Sequence, residues 1–120
     1  MENTKDLGKK GEELAILFLK QKGFKILFAN WQYKHKEIDI IASTNQYIVF
    51  IEVKTRKNEY FENPKEAVTR KKQKYIIEAA NAFIEKYDIT EEARFDIVSV
   101  IFSNPPVIEH VEDAFYPILK

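Results

Sequence analysis

The chain has 120 residues, 45% of them apolar, which fits one domain (residues 1–120) with its own core; it has no cysteine and two histidines. That composition excludes disulfides, thiolate zinc sites, cysteine nucleophiles and three-histidine metal centres. Nineteen basic and nineteen acidic side chains cancel overall, yet residues 54–74 carry a net +5 and residues 75–120 a net −6, so a neutral chain can still present a local positive field. With no bilayer-length apolar run and no apolar stretch after Met1, the expectation is a cytoplasmic protein with no membrane partner.

Thr4 to Lys22 has helical periodicity, with Leu14, Ala15, Phe18 and Leu19 on one stripe and Gly23 placed as a C-terminal cap. Phe24 to Asn30 reads as a short strand. Glu37 to Ala42 alternates, and Tyr47 to Lys54 is rich in β-branched and aromatic residues. Ser43-Thr44-Asn45-Gln46 joins those two runs as a hairpin. Residues 55–63 read as a loop. Asn63-Pro64 marks a helix start, and the helix continues to about Tyr87 on a stripe of Ala67, Ile76, Ala79, Ala80, Phe83 and Ile84. Arg94 to Phe102 alternates as a strand, Asn104-Pro105-Pro106 is a turn, and Val107 to Val111 is a candidate last strand. The order αβββαβ, with one further short strand, predicts an α/β fold with helices flanking a mixed β-sheet.

The chemistry concentrates on the hairpin. Alternation places Glu37 and Asp39 on one strand face and Ile38 and Ile40 on the other; Glu52 and Lys54 share a face, opposite Ile51 and Val53. Two registers keep the apolar face intact. One pairs Ala42 with Tyr47 and sets Glu37 opposite Glu52. The other uses a tighter loop and sets Asp39 opposite Glu52 and Glu37 opposite Lys54. Either puts like charges across from each other, which destabilises a sheet unless a divalent cation such as Mg²⁺ relieves them. Lys54 would then stand beside the cation's water, to orient the nucleophile or stabilise charge. The same face would also suit the solvent side of an edge hairpin. The continuous apolar run Tyr47-Ile48-Val49-Phe50-Ile51 argues instead for a strand buried on both faces.

Asp39 followed by Glu52-Val53-Lys54 resembles the PD-(D/E)xK signature of restriction-endonuclease-like nucleases. The resemblance covers most of the chain. Gly8-Lys9-Lys10-Gly11-Glu12, Asn30, Glu37-Ile38-Asp39-Ile40-Ile41, Phe50-Ile51-Glu52-Val53-Lys54-Thr55-Arg56, Ala67-Val68-Thr69, Lys72-Gln73 and Arg94-Phe95-Asp96-Ile97-Val98 together resemble the YraN-like family of predicted endonucleases, related in fold to archaeal Holliday-junction resolvases. The resemblance implies a restriction-endonuclease-like fold and a Mg²⁺- or Mn²⁺-dependent endonuclease acting on DNA, including branched DNA, with a homodimer by analogy. It implies Asp39 and Glu52 as metal ligands, Glu12 as the helix-borne acid completing the site, Lys54 as the catalytic lysine, Glu37 as the family's extra acid, and Gln73 as a polar helix residue facing the site. Lys36 stands where the family usually has glycine, and Ile38 where the superfamily has proline.

Arg56, Lys57, Arg70, Lys71, Lys72 and Lys74, with Lys54, form the positive region expected to hold nucleic-acid phosphates. Tyr60 and Phe61 are expected to cap the core, with base stacking as the alternative. Asp96 is expected to be structural, paired with Arg94 or a helix end; His35 is expected in a surface loop, and Trp31 and Tyr33 as packing or surface aromatics. The segment Ala114-Phe115-Tyr116-Pro117-Ile118-Leu119 would close the core or form a dimer surface. A non-cutting nucleic-acid-binding module is the alternative function, and a protein-interaction domain using the acidic C-terminal half is a weaker third.

Overall fold

The apolar periodicities resolve into α1 (Thr4–Gln21), β1 (Lys25–Tyr33), β2 (Lys36–Ser43), β3 (Tyr47–Arg56), α2 (Arg70–Lys86), β4 (Glu92–Ile101) and β5 (Val107–Phe115). The structure, a computed structural model, describes residues 4–57 and 68–117. The strands form one sheet in the order β1-β2-β3-β4-β5. Only β3 and β4 run parallel among its neighbouring pairs. Parallel neighbours require a crossover, and α2 lies in the connection between them. The run Tyr47–Ile51 is therefore central, as its unbroken hydrophobicity implies.

Each helix buries its stripe on a different apolar cluster. Ile76, Ala79, Ala80 and Phe83 of α2 pack with Phe50, Phe95 and Ile97. Ala15 and Leu19 of α1 pack with Ile40, Val49, Ile51 and Val98. Phe83 is the hub of the first cluster, with its ring centroid 5.3 Å from Trp31, 5.6 Å from Phe28 and 5.8 Å from Phe50. Truncating such a residue to alanine costs about 3–5 kcal/mol.

Local chemistry sets the ends of the helices. Gly23 (φ 97°) lets the chain leave α1, with Gly23 N–H donating to the Lys20 carbonyl and Phe24 N–H to the Leu19 carbonyl, both at 3.0 Å. α2 begins later than Asn63-Pro64 suggests. Thr69 is extended (φ −65°, ψ 161°), and its Oγ1 accepts from Lys72 N–H at 3.1 Å, making Thr69 the N-cap. Asn63, Pro64, Tyr60, Phe61 and Ala67 lie outside the described residues.

The strands differ from expectation at four places, the first being β3, which runs on through Thr55 and Arg56 where a loop was expected, paired with Val100 and Ile101 of β4. β1 continues through Asn30, which takes φ 55°, to Tyr33. β5 is a nine-residue strand rather than a short one, and it carries Ala114 and Phe115 into the core. Ile38 packs in the α2-side cluster while Ile40 packs in the α1-side cluster, so the two do not share a face. The β2–β3 ladder ends at Ile40↔Ile51, while β2 stays paired with β1 through Lys36 and Asp39 Oδ2 accepts from Val53 N–H.

Candidate active site

The hairpin adopts the tighter of the two registers. Ala42 pairs with Val49 and Ser43 with Ile48. Thr44 N–H donates to the Tyr47 carbonyl at 3.0 Å, and Tyr47 N–H donates to Thr44 Oγ1 at 3.3 Å, which closes the turn around Asn45-Gln46. One step beyond Ile40↔Ile51, this register brings Asp39 beside Glu52. Glu37 does not continue the ladder to Lys54; its Oε1 accepts from Gln32 Nε2 of β1 at 3.3 Å.

Asp39 and Glu52 form a crowded acidic pair. Glu52 is 7% exposed, and its Oε1 has no hydrogen-bond partner. Asp39 Oδ2 accepts from Val53 N–H at 2.8 Å. Burial, reinforced by the Glu52 charge and by a side-chain hydrogen bond that a protonated Asp39 can share with Glu52, pushes the Asp39 carboxyl from 3.8 up to about 7; the Val53 N–H and the Lys72 ammonium oppose that rise without cancelling it. Lys72 Nζ stands 3.8 Å from Glu52 Oε2 and supplies the pair's nearest described countercharge.

Glu12 reaches this field from α1. Its carboxyl is raised by burial first and further by the charges of Asp39 and Glu37, against a lowering hydrogen bond from Asn30. Asn30 Nδ2 donates to Glu12 Oε1 at 3.0 Å. The left-handed backbone at Asn30 is one that asparagine tolerates better than most residues, so Asn30 positions Glu12. Gly11, the residue before Glu12, is equally constrained, because a Cβ there would overlap Thr55 Oγ1 of β3. Close approach of α1 to β3 thus depends on glycine, and it carries Glu12 toward the hairpin.

Lys54 is half-buried two residues beyond Glu52 and lies opposite Ser99 in the parallel ladder. Ser99 is buried, with its Oγ unpartnered. Lys54, Arg56 and Lys57 line a shallow cleft of about 270 Å³ with Leu7 and Gly8 of α1. Arg70, Lys71 and Lys74 are exposed on the first turns of α2. Gln73 Nε2 donates to the Val68 carbonyl at 2.9 Å, so its amide closes the entry to the helix. Among the described residues, no three aspartate, glutamate or histidine side chains converge as a ready-made metal cluster.

Asp96 belongs to a separate network and is structural in its surroundings. It accepts from Arg94 Nε (2.9 Å) and Nη2 (2.8 Å) and from Asp113 N–H (3.0 Å), and it lies 2.8 Å from His110 Nε2. The Lys22 ammonium, which can only donate, is 2.8 Å from His110 Nδ1, so Nε2 carries the proton facing Asp96.

The sequence reading missed Asn30 as a positioning residue, Ser99, and the pairing of Lys72 with Glu52. A polar residue at a strand position that needs positive φ is the one signal that marks Asn30.

The fold and the paired carboxylates define a mixed α/β protein with a charged site at the end of its central strands. Residues 11–100 match the model of the Uncharacterised protein family UPF0102, and the chain belongs to that family. It is 43% identical to a UPF0102 protein of Phocaeicola vulgatus over 118 residues, covering 98% of each chain. It is 41% identical to UPF0102 proteins of Bacteroides thetaiotaomicron, over 98% of each chain, and of Porphyromonas gingivalis, over all of this chain and 91% of that one. No helix among the described residues is long and apolar enough to cross a membrane.

Proposed function

We propose that the protein is a Mg²⁺- or Mn²⁺-dependent endonuclease of the restriction-endonuclease-like kind, hydrolysing phosphodiester bonds in DNA, with branched DNA as its substrate class and a homodimer as its working form. The observation that carries this reading is Glu52 Oε1, a buried carboxylate oxygen without a hydrogen-bond donor among the described residues, beside an Asp39 carboxyl that burial, reinforced by Glu52, raises to about 7.

An unsatisfied buried carboxylate oxygen is costly, and a second carboxylate beside it adds repulsion. Two hard oxygen donors suit Mg²⁺, which takes one or two carboxylates and leaves its other positions to water and phosphate. Asp39 and Glu52 would hold the cation, with Glu12 the third acid within the same field. When bound, the cation would neutralise the pair and polarise the phosphate.

The chain's own groups do the rest. Val53 N–H fixes one Asp39 oxygen, which orients the carboxylate. Asn30 holds Glu12 at the edge of the pair. Lys54, on the same strand as Glu52, offers an ammonium to charge developing on the phosphoryl oxygens. Arg56, Lys57, Arg70, Lys71 and Lys74 retain the backbone through phosphate contacts.

The test is cleavage of duplex and four-way-junction DNA in Mg²⁺ and Mn²⁺ by the parent, Glu52→Gln and Lys54→Ala, with folding checked by circular dichroism. The reading expects cleavage by the parent and a loss of about 100-fold or more in each variant. Equal cleavage by parent and variants would place the activity elsewhere. Salt-sensitive binding without strand scission would support the second reading, a non-cutting nucleic-acid-binding module. The lack of a converged three-acid cluster among the described residues is the observation on its side.

A further inference from the structure

We propose that Lys36 and Lys72, both seated on the ring of Tyr75, form a subsite for a backbone phosphate of nucleic acid beside the Asp39–Glu52 pair. The subsite rests on the nuclease reading for the nature of its ligand and extends the phosphate-holding surface to the β1–β2 turn.

Lys36 is exposed as it leaves the turn, with its Nζ 5.1 Å from the centroid of the Tyr75 ring. Lys72 rises from the first turn of α2, with its Nζ 5.9 Å from the same centroid. The Lys72 Nζ is also 3.8 Å from Glu52 Oε2. A continuous line of contacts, Lys36 to Tyr75 to Lys72 to Glu52, thus leads from the hairpin tip to the carboxylate pair.

The hairpin tip is pinned to α2. Tyr75 Oη donates to the Tyr33 carbonyl. Tyr33 Oη donates to Glu78 at 3.2 Å, and Lys34 Nζ meets the same Glu78 oxygen at 2.9 Å. Lys34 holds φ 57°, a conformation costly for lysine, at the turn those contacts secure. Anchoring of this kind lowers the ordering cost that two flexible lysines would otherwise incur on binding an anion.

The charge balance selects the ligand. Glu78 neutralises Lys34. Among the described residues no carboxylate pairs with Lys36, and Lys72 has only a 3.8 Å contact to a Glu52 that Asp39 also crowds. One ammonium without a described carboxylate partner and one weakly matched ammonium, both against the same ring, fit the anionic charge of a phosphodiester backbone. Both lysines lie against the Tyr75 ring, which is itself half-buried, so the site favours backbone over base and carries no sequence preference.

The experiment is fluorescence anisotropy of a labelled DNA duplex, in chelator, across a NaCl series, with the parent, Lys36→Ala, Lys36→Arg and Lys86→Ala, which sits at the far end of α2. Loss of one phosphate contact lowers the slope of log K against log salt by about 0.9. The subsite predicts that loss for Lys36→Ala, recovery in Lys36→Arg and a parental slope in Lys86→Ala. A parental slope in Lys36→Ala, with the parent binding DNA, overturns the subsite and leaves the nuclease reading standing. Absence of salt-dependent binding by the parent overturns both.

Discussion

Asp39→Asn should make the protein more stable at alkaline pH, and the size of the gain follows from the crowding around the carboxyl. Burial and Glu52 hold Asp39 up to about 7, against 3.8 in its ordinary environment. The folded-state value lies above the unfolded one. Between the two, the native state therefore binds more protons than the unfolded chain, and stability falls as pH rises. The contribution is complete below pH 3.8 and lost as pH passes through about 7. At about 1.4 kcal/mol per pH unit the displacement corresponds to roughly 4 kcal/mol, and relaxation around the charge brings the measurable loss to about 2–4 kcal/mol. That is a large share of the about 5–15 kcal/mol by which domains are stable. Asparagine keeps an oxygen for Val53 N–H and cannot ionise. Urea unfolding of parent and variant from pH 4.5 to 8.5 reads the effect of the Asp39 charge and its coupling to Glu52, because groups distant from Asp39 titrate in both and cancel in the difference. The difference should grow by about 2–4 kcal/mol in favour of the variant over that range. Parallel curves would refute the claim that Asp39 and Glu52 are a frustrated buried pair.

Two predictions concern the scaffold and follow the same logic. Asp96→Ala strands Arg94 and a buried imidazole, and should cost about 3–5 kcal/mol in urea unfolding; a cost below about 1 kcal/mol would contradict the network. Burial alone would raise the Asp96 carboxyl, but His110, Arg94 and the Asp113 N–H hold it below 3.8. Its contribution is therefore present above that value and lost as acid titrates it, so parent and variant stabilities should converge as pH falls below 3.8. Gly11→Ala should cost about 1–3 kcal/mol, because the new methyl meets Thr55 Oγ1, and Thr55→Gly in the same chain should restore most of it. Failure of that rescue would mean that the cost arises from something other than the contact with Thr55.

Much of the fold was legible because the elements carry clean periods. The alternation in β2, the unbroken run in β3 and the α2 stripe each point to the position they occupy. The hairpin register was legible only to a choice of two, since both keep the same apolar face; the hydrogen bonds between Thr44 and Tyr47 decide it. Ile38 departs from the pattern beyond the last β2–β3 pair, Ile40↔Ile51, although β2 stays paired with β1 through Lys36. The start of α2 escaped because Asn63-Pro64 and Val68-Thr69 both look like helix entries, and the Thr69 cap marks where the described helix begins.

The candidate site was legible as chemistry and less so as geometry. Asp39, Glu52 and Glu12 do share one electrostatic field. Lys72, expected among the phosphate-binding residues, also stands 3.8 Å from Glu52, a proximity that spacing along the chain does not reveal. Asn30 could not be read from spacing at all, since its role depends on a left-handed residue inside a strand.

The most direct test of the central claim is a Mg²⁺ titration followed by amide NMR, repeated with trace Mn²⁺ as a paramagnetic probe, on the parent and Asp39→Asn. A cation site at Asp39 and Glu52 predicts Mg²⁺ shifts and Mn²⁺ broadening centred on Asp39, Glu52 and the Val53 amide, and their loss in the variant. Shifts that are absent, scattered over the surface or unchanged in Asp39→Asn would contradict it.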